Sequence, residues 1–357
     1  MNTRRMFHRL SALALATVAF SASAANVPLG LDVATPVGAN WYVSSFNGCG
    51  DEGELPVRLA ADSDCILSII DADFNEYGDA YDGGWLTYVN GTPVTAPEVD
   101  FTGTTVTAPA VQISGLDVTT QYYFAPNSAV ARILVTLHNP GNSSVAAEVQ
   151  MPTNYGSDSG TVYAATSSGD AAITTADRWI ISSDGGPWDP VNTSVFYGPG
   201  AVAETPVAYA TTVHDAAGDE GIGATFALDI PAHGTQSLMF FAGLNGITSG
   251  TNTVAAATTA AAAFDNYATL QPEWLAGLSS IQRGQIVNWN PASLGGETTT
   301  CASSGYTGTK LNWCRIICES ESSSSTIETY LRRWINKYRD LPYCAVEGGG
   351  EELPPQG

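Results

Sequence analysis

Apolar and polar positions alternate with period two along several short runs of the first 250 residues. Ile133, Val135 and Leu137 share one face of such a run, with Leu134 and Thr136 on the other. Asn139-Pro140-Gly141-Asn142-Ser143 follows as a turn, and Val145, Ala147, Val149 and Met151 then resume the alternation. Period two, a turn and period two again predict a β-hairpin. Val207, Tyr209, Thr211 and Val213 alternate in the same way, as do Phe226, Leu228 and Ile230. Pro231-Ala232-His233-Gly234 turns the chain toward the apolar run 238–242, which has the length of a buried strand and not of a membrane span. Short strands separated by Gly, Asn, Asp, Pro and Ser clusters predict an antiparallel β-sandwich. Thr and Val enrichment agrees, because branched side chains pack well on a pleated surface.

From about Val254 the period changes. Residues 255–263 are almost all Ala and Thr, and Ala has the strongest helix propensity. Leu278, Ile281, Ile286 and Trp289 fall near one helical face, so a short helical coda that packs back on the sandwich is expected through residue 290. Residues 291–300 read as a linker, with Pro291, Gly295 and Gly296. A last helix is predicted with Ser325 and Glu328 as its capping box. Its apolar stripe is Ile327, Tyr330, Leu331, Trp334, Ile335 and Tyr338, with Arg332, Arg333, Lys337 and Arg339 off the stripe. The stripe reads as the core of a small module over 301–347, and residues 348–357 as a disordered tail.

Composition divides the chain further. Asp and Glu number 35 against 13 Lys and Arg, a formal charge of −22. The first lysine is Lys310, and from 25 to 300 the arginines are Arg58, Arg132, Arg178 and Arg283. Such a charge opposes binding to phosphate backbones, so nucleic acid and anionic membranes are excluded as expected partners. Residues 1–24 carry Arg4, Arg5 and Arg9, an apolar run over 10–20 and Ala22-Ser23-Ala24, which together predict an export signal. Thr3-Arg4-Arg5-Met6-Phe7 also approximates a twin-arginine signal. No other apolar run reaches spanning length, so the mature chain is expected in the periplasm, on the cell surface or secreted.

Two longer stretches carry a resemblance. The first is Asp79-Ala80-Tyr81-Asp82-Gly83-Gly84-Trp85 running on to Val89-Asn90-Gly91. The second starts at Asn154-Tyr155-Gly156-Ser157-Asp158-Ser159 and continues to Thr175-Ala176-Asp177-Arg178-Trp179, with Val287-Asn288-Trp289 closing it. Together they resemble a β-sandwich domain of exported proteobacterial proteins, of the large galactose-mutarotase type, over roughly residues 26–290. The segment from Cys301 to Cys344 resembles a small four-cysteine module appended to such proteins. The resemblance implies architecture and compartment, and supplies no catalytic residues.

Six cysteines fit an oxidising compartment. Cys49 and Cys65 enclose a short acidic loop and are expected to pair, worth about 3 kcal/mol of loop entropy. Cys301, Cys314, Cys318 and Cys344 allow three pairings, and Cys301 with one of the middle pair and Cys344 with the other is favoured. A four-cysteine zinc site is the rival.

Asp71, Asp73, Asn75, Asp79 and Asp82 occupy positions one, three, five, nine and twelve of a calcium loop. Glu76 stands where that loop needs glycine, and a strand-like run precedes it, so the helix–loop–helix identity is rejected. A looser calcium site, or a solvated acidic connection, remains.

No G-x-S-x-G elbow occurs, since Asp158 centres the frame at 156–160. His138, His214 and His233 read as loop residues. With so many acids, any carboxylate spacing a glycosidase needs will occur by chance. Trp85 and Trp188 are the aromatic candidates for stacking on a sugar ring, with Trp188 in a Gly/Pro-rich turn.

The expectation is an exported β-sandwich with a helical coda and a disulfide-held helical module. Its role is binding or structural, toward glycan or cell-envelope material. The alternative is a secreted carbohydrate-active enzyme that uses acidic residues, and a third reading makes the C-terminal module an attachment device.

Overall fold

The computed structural model describes residues 25–46, 65–75, 77–170, 172–186, 189–203, 205–211, 221–246, 253–296, 301, 306–319 and 324–342. The expected leader, Cys49, Trp188, His214, Cys344 and the tail lie outside these residues. The chain is mainly antiparallel β. Its largest sheet has ten strands, nine of them in the spatial order Ala25–Pro28, Glu98–Thr102, Thr105–Thr107, Leu116–Phe124, Val130–His138, Thr235–Asn245, Val191–Val195, Trp179–Ser183 and Val162–Thr166. Val111–Ile113 adds the tenth, beside Leu116–Phe124. A five-stranded sheet is built on Val145–Asn154 and Gly221–Ile230, and a three-stranded sheet on Leu31–Ala34, Ala39–Ser45 and Leu67–Phe74.

The two smaller sheets share one core with the large sheet. Trp41, Val43 and Ile69 meet Val118, Tyr122, Ile133, Val135, Leu238 and Phe240 there, along with Val149, Met151 and Phe226. The opposite face of the large sheet presents Leu134, Trp179, Ile181, Met239 and Phe241 to a second core. Helix Thr253–Ala261 and the segment after it cover that face with Ala257, Phe264, Trp274, Leu278, Ile286 and Trp289. The rings of Phe264, Trp274 and Trp289 lie 5.1, 5.9 and 5.5 Å from that of Phe241. The expected coda therefore closes a third layer.

The predicted hairpin at 139–144 is corrected. Val130–His138 pairs with Leu116–Phe124 and Thr235–Asn245, whereas Val145–Asn154 pairs with Gly221–Ile230 in the other sheet. The turn is an arch between layers. The cause is in the side chains: the first strand carries apolar residues on both faces, Leu134 among Arg132 and Thr136 on the second face, and belongs inside a covered sheet, while Ala146 and Glu148 leave the second strand apolar on one face only. The same rule sends 226–230 to the outer sheet and 238–242 to the centre. Asn139, 0% exposed, ties the two arches together. Its side chain donates to Ser143 O and Ile230 O and accepts from Gly141 N, and its own N–H donates to Gly234 O.

One helix expectation also changes. Leu278, Ile286 and Trp289 are buried, but Ile281 is 37% exposed, because only Ser280–Gln285 is helical there. Ser279 and Gln282 form the capping box of that short helix, and Asn288 then fixes extended backbone, accepting from Met239 N and donating to Met239 O and Phe196 O. The last helix spans Ser324–Tyr338, and Glu328 pairs with Arg332.

The C-terminal residues form a separate small core from Cys301, Cys314, Ile317, Ile327 and Trp334, so the apolar stripe packs inward as expected. Cys301 and Cys314 are disulfide-bonded, which selects among the open pairings and removes them as zinc ligands. Cys65 and Cys318 are also in disulfides. Lys310 pairs with Asp340 at 2.5 Å, and its ammonium lies 4.9, 5.1 and 5.0 Å from the rings of Tyr306, Trp334 and Tyr338. No described helix is long and apolar enough to cross a membrane.

Replacing Asn139 by the similar-sized Leu leaves the buried Ile230 carbonyl, the part-buried Ser143 carbonyl and the Gly141 N–H without this partner. Urea unfolding is expected to show a loss of about 3 kcal/mol in Asn139→Leu.

Candidate functional site

Away from the arches, the core between the sheets becomes polar. On Val191–Val195 the valines at 191 and 195 face the coda, so Asn192 and Ser194 point toward the smaller sheet. Tyr155 Oη and Ser194 Oγ share a hydrogen bond of 2.7 Å. Asn192 Nδ2 donates to Ala80 O at 3.1 Å, and Trp85 N donates to Thr153 Oγ1 at 3.0 Å. The Asp79–Trp85 motif is thus wedged into the open end of the sandwich. Gly156 permits the closest approach, since a Cβ there would collide with the backbone of Asp79.

Acids gather around this wedge. Asp79, Asp82 and Asp158 repel one another, and Asp189 is repelled by Asp184, Asp79 and Asp158. Burial pushes Asp82 up to about 7, helped by the charges of Asp79 and Asp158 and by a hydrogen bond shared with Asp158. Burial and then these like charges push Asp189 up to about 6, and burial followed by Asp158 also raises Asp79. None of the described arginines of the sandwich relieves them, because all three serve the coda. Arg132 donates to the carbonyls of Trp274 and Ala276, Arg178 pairs with Asp265 at 2.7 Å, and Arg283 donates to Leu275 O and Leu294 O.

The five acidic-loop residues do not assemble as one set. Asp71 turns inward, its Oδ1 accepting from Ala72 N and Tyr81 N, and burial pushes it up to about 6. Asp73 accepts from Tyr42 Oη at 2.5 Å across the small sheet. Asn75 sits in a left-handed turn, with φ of 53°. Asp79 and Asp82 are the two that reach the acidic edge. Asp158 and Asp189 are the partners missed by sequence reasoning, since nothing in spacing joins three separate loops. Among the described residues, only Cys301, Cys314 and Cys318 bring three metal-ligating atoms within 4.8 Å of one another.

Trp85 is 0% exposed, packed 5.8 and 6.1 Å from the rings of Phe196 and Phe240. A buried indole has no face to offer a sugar, so the stacking role expected of it is replaced by packing. Trp188 lies outside the described residues, one residue before Asp189 in the chain. His138 and His233 lie at the arches, bonded to Thr235 and Asn142. Ser157 Oγ and Thr161 Oγ1 share a hydrogen bond of 2.8 Å. The motif 177–179 is architectural: Arg178 and Trp179 Nε1 both donate to Asp265 Oδ1, fastening the coda. A shallow groove of about 680 Å³ over the coda, lined by Thr259, Ala263, Tyr267, Leu270 and Pro272, holds no carboxylate.

The site is therefore an acidic rim around buried amides and hydroxyls, at one end of a β-sandwich. No family model matches the chain, and no curated protein matches it in sequence. Among solved structures, a polysaccharide lyase aligns at TM-score 0.34 and 11% identity, over 56% of this chain and 33% of that one. A Klebsiella pneumoniae protein assigned as an aldose 1-epimerase aligns at 0.34 and 9%, over 64% of this chain and 82% of that one. The Slr1438 protein of Synechocystis aligns at 0.34 and 7%, over 64% and 99%. The chain spans about one third of the lyase. Likenesses this distant carry nothing about ligand or reaction.

Asp71 sets a pH dependence. Its folded value, about 6, exceeds the ordinary 3.8. A raised carboxyl stabilises the fold fully below the ordinary value, and that stability is lost as pH rises through the folded one. Asp71→Asn keeps an oxygen for both N–H donors and removes the buried charge. At pH 8 the variant is expected to be more stable than the parent by on the order of 2 kcal/mol, with the difference vanishing near pH 4. Thermal unfolding across that range is the measurement.

Proposed function

We propose that this chain is a binding protein whose acidic edge takes a polyhydroxylated ligand, a glycan of the cell envelope or its surroundings. The observation that carries the reading is the set of Asp79, Asp82, Asp158 and Asp189, mutually repelling and without a basic partner among the described residues. Carboxylates of this kind accept hydrogen bonds from vicinal hydroxyls, and charge-assisted bonds are the stronger ones. The same excess of negative charge disfavours phosphate and anionic lipid. Trp188, next to Asp189 in the chain, is assigned the stacking role, and the export expected from residues 1–24 supports the reading because it would bring the protein to where such glycans are found.

A second reading has its own support. A carboxyl pushed up to about 7 beside two others is the kind of group that holds a proton near neutrality, as a general acid in glycoside cleavage must. The reading as an attachment device stands on the sequence alone.

A glycan array separates the first two. The parent protein should retain at least one glycan class, Asp158→Asn and Trp188→Ala should each weaken retention about tenfold, and no reducing sugar should be released. Release that Asp82→Asn abolishes would make the protein an enzyme. Absence of any retained glycan would remove the binding proposal.

A further inference from the structure

We infer that Asp79, Asp82 and Asp158, with the side-chain oxygen of Asn154, form a binding site for a divalent cation of the calcium type. Asn154 supplies the observation that is independent of the acids. The residue is 5% exposed, and its Oδ1 has no hydrogen-bond partner. Its Nδ2 donates to Asp82 O at 3.4 Å, and Asp82 N donates to Asn154 O at 3.3 Å. The orphaned oxygen, on the same carbon as that nitrogen, therefore sits beside the Asp82 main chain. A buried amide oxygen without a donor is costly, and a cation satisfies it as a hydrogen bond would. Asn192 repeats the arrangement one step deeper: it is 3% exposed, its Nδ2 donates to Ala80 O, and its Oδ1 is also unpartnered.

The chemistry favours calcium. All the ligand atoms are hard oxygens, three anionic and one neutral, and they come from two loops and a strand end, not a rigid octahedral frame. Calcium accepts six to eight oxygens in irregular geometry, with water and main-chain carbonyls completing the shell. Gly156, two residues before Asp158, lies so close to Asp79 that a Cβ there would sit 2.5 Å from Asp79 Oδ1, which places this turn against the 79–82 segment. The three carboxylates do not lie within 4.8 Å of one another, so the proposed site requires the 155–161 turn to move toward the 79–82 segment when an ion binds. Asp71 and Asp73 of the sequence-derived loop are not ligands, because Tyr81 N and Tyr42 Oη occupy them. The inference concerns the edge proposed to bind glycans but needs no glycan, and the assay contains none, so the two can fail separately.

The test uses the full chain, stripped with chelator at pH 8 and held at constant ionic strength with sodium chloride. Calcium chloride at about a hundredfold excess over its dissociation constant is expected to raise the thermal midpoint by about 5 °C, with saturable heat near one ion per chain in calorimetry. Asp82→Asn and the solvent-exposed Asp158→Asn should each weaken binding tenfold or more, while Asp229→Asn, on the outer sheet, should bind as the parent does. Asp158→Asn carries the test alone should Asp82→Asn not fold. An unchanged midpoint without heat in the folded parent would overturn the site. So would calcium affinity unaltered in Asp158→Asn, or an equal shift from sodium chloride alone.

Discussion

The constraint on which this structure depends is the two-sided apolar character of its central strand pair. In Val130–His138 and Thr235–Asn245, paired from Val130 with Gly243 to His138 with Thr235, both faces carry buried apolar side chains: Ile133, Val135, Leu137, Leu238 and Phe240 on one, Leu134, Met239 and Phe241 on the other. A sheet built on such strands must be covered on both faces, or several large side chains remain in water at about 25 cal/mol for each Å². One cover is supplied by the two small sheets, the other by the coda. Three layers follow from that single requirement.

The distribution of charge follows next. The coda has little helix of its own: nine residues of Ala, Thr and Val, two short 3-10 segments and the six-residue helix Ser280–Gln285. It is fastened by Arg132, Arg178 and Arg283, each placed to meet its carbonyls or carboxylate, and by Asn288 and Trp289 bonded to Met239. With those arginines engaged on one side, the acids at the open end of the sandwich have no cation among the described residues to meet. The fold thus separates its few positive charges from its most crowded negative ones. Repulsion among the latter is what a proton, a metal ion or a hydroxylated ligand relieves.

Much of this was legible in the sequence. Period-two runs gave the strands, and the Ala/Thr tract gave the helix of the coda. The apolar stripe gave the inner face of the last helix. Pairing was not legible from turns, because Asn139-Pro140-Gly141 marks a reversal without saying whether the next strand returns to the same sheet. It was written instead in the second face of each strand, apolar at Leu134 and polar at Glu148. The acidic edge was half visible. Asp79 and Asp82 lie in one run, but Asp158 and Asp189 reach them only because the ends of two sheets converge, and Gly156 gives no spacing signal for the approach it permits. Trp85 was named as a stacking candidate because nothing in its neighbours shows that it is buried; Gly83 lets Phe46 pack against the backbone there, where a Cβ would overlap its ring.

Native-state hydrogen exchange, resolved by residue, tests the two-sided cover most directly. Amides of 130–138 and 235–245 are expected to exchange slowest, with the free energy of global unfolding, and the Phe264, Ile286 and Trp289 region of the coda is expected to open with them. Rapid exchange in the central strands would contradict the account. So would a coda that unfolds freely while those strands stay protected, because their second face would then need no cover.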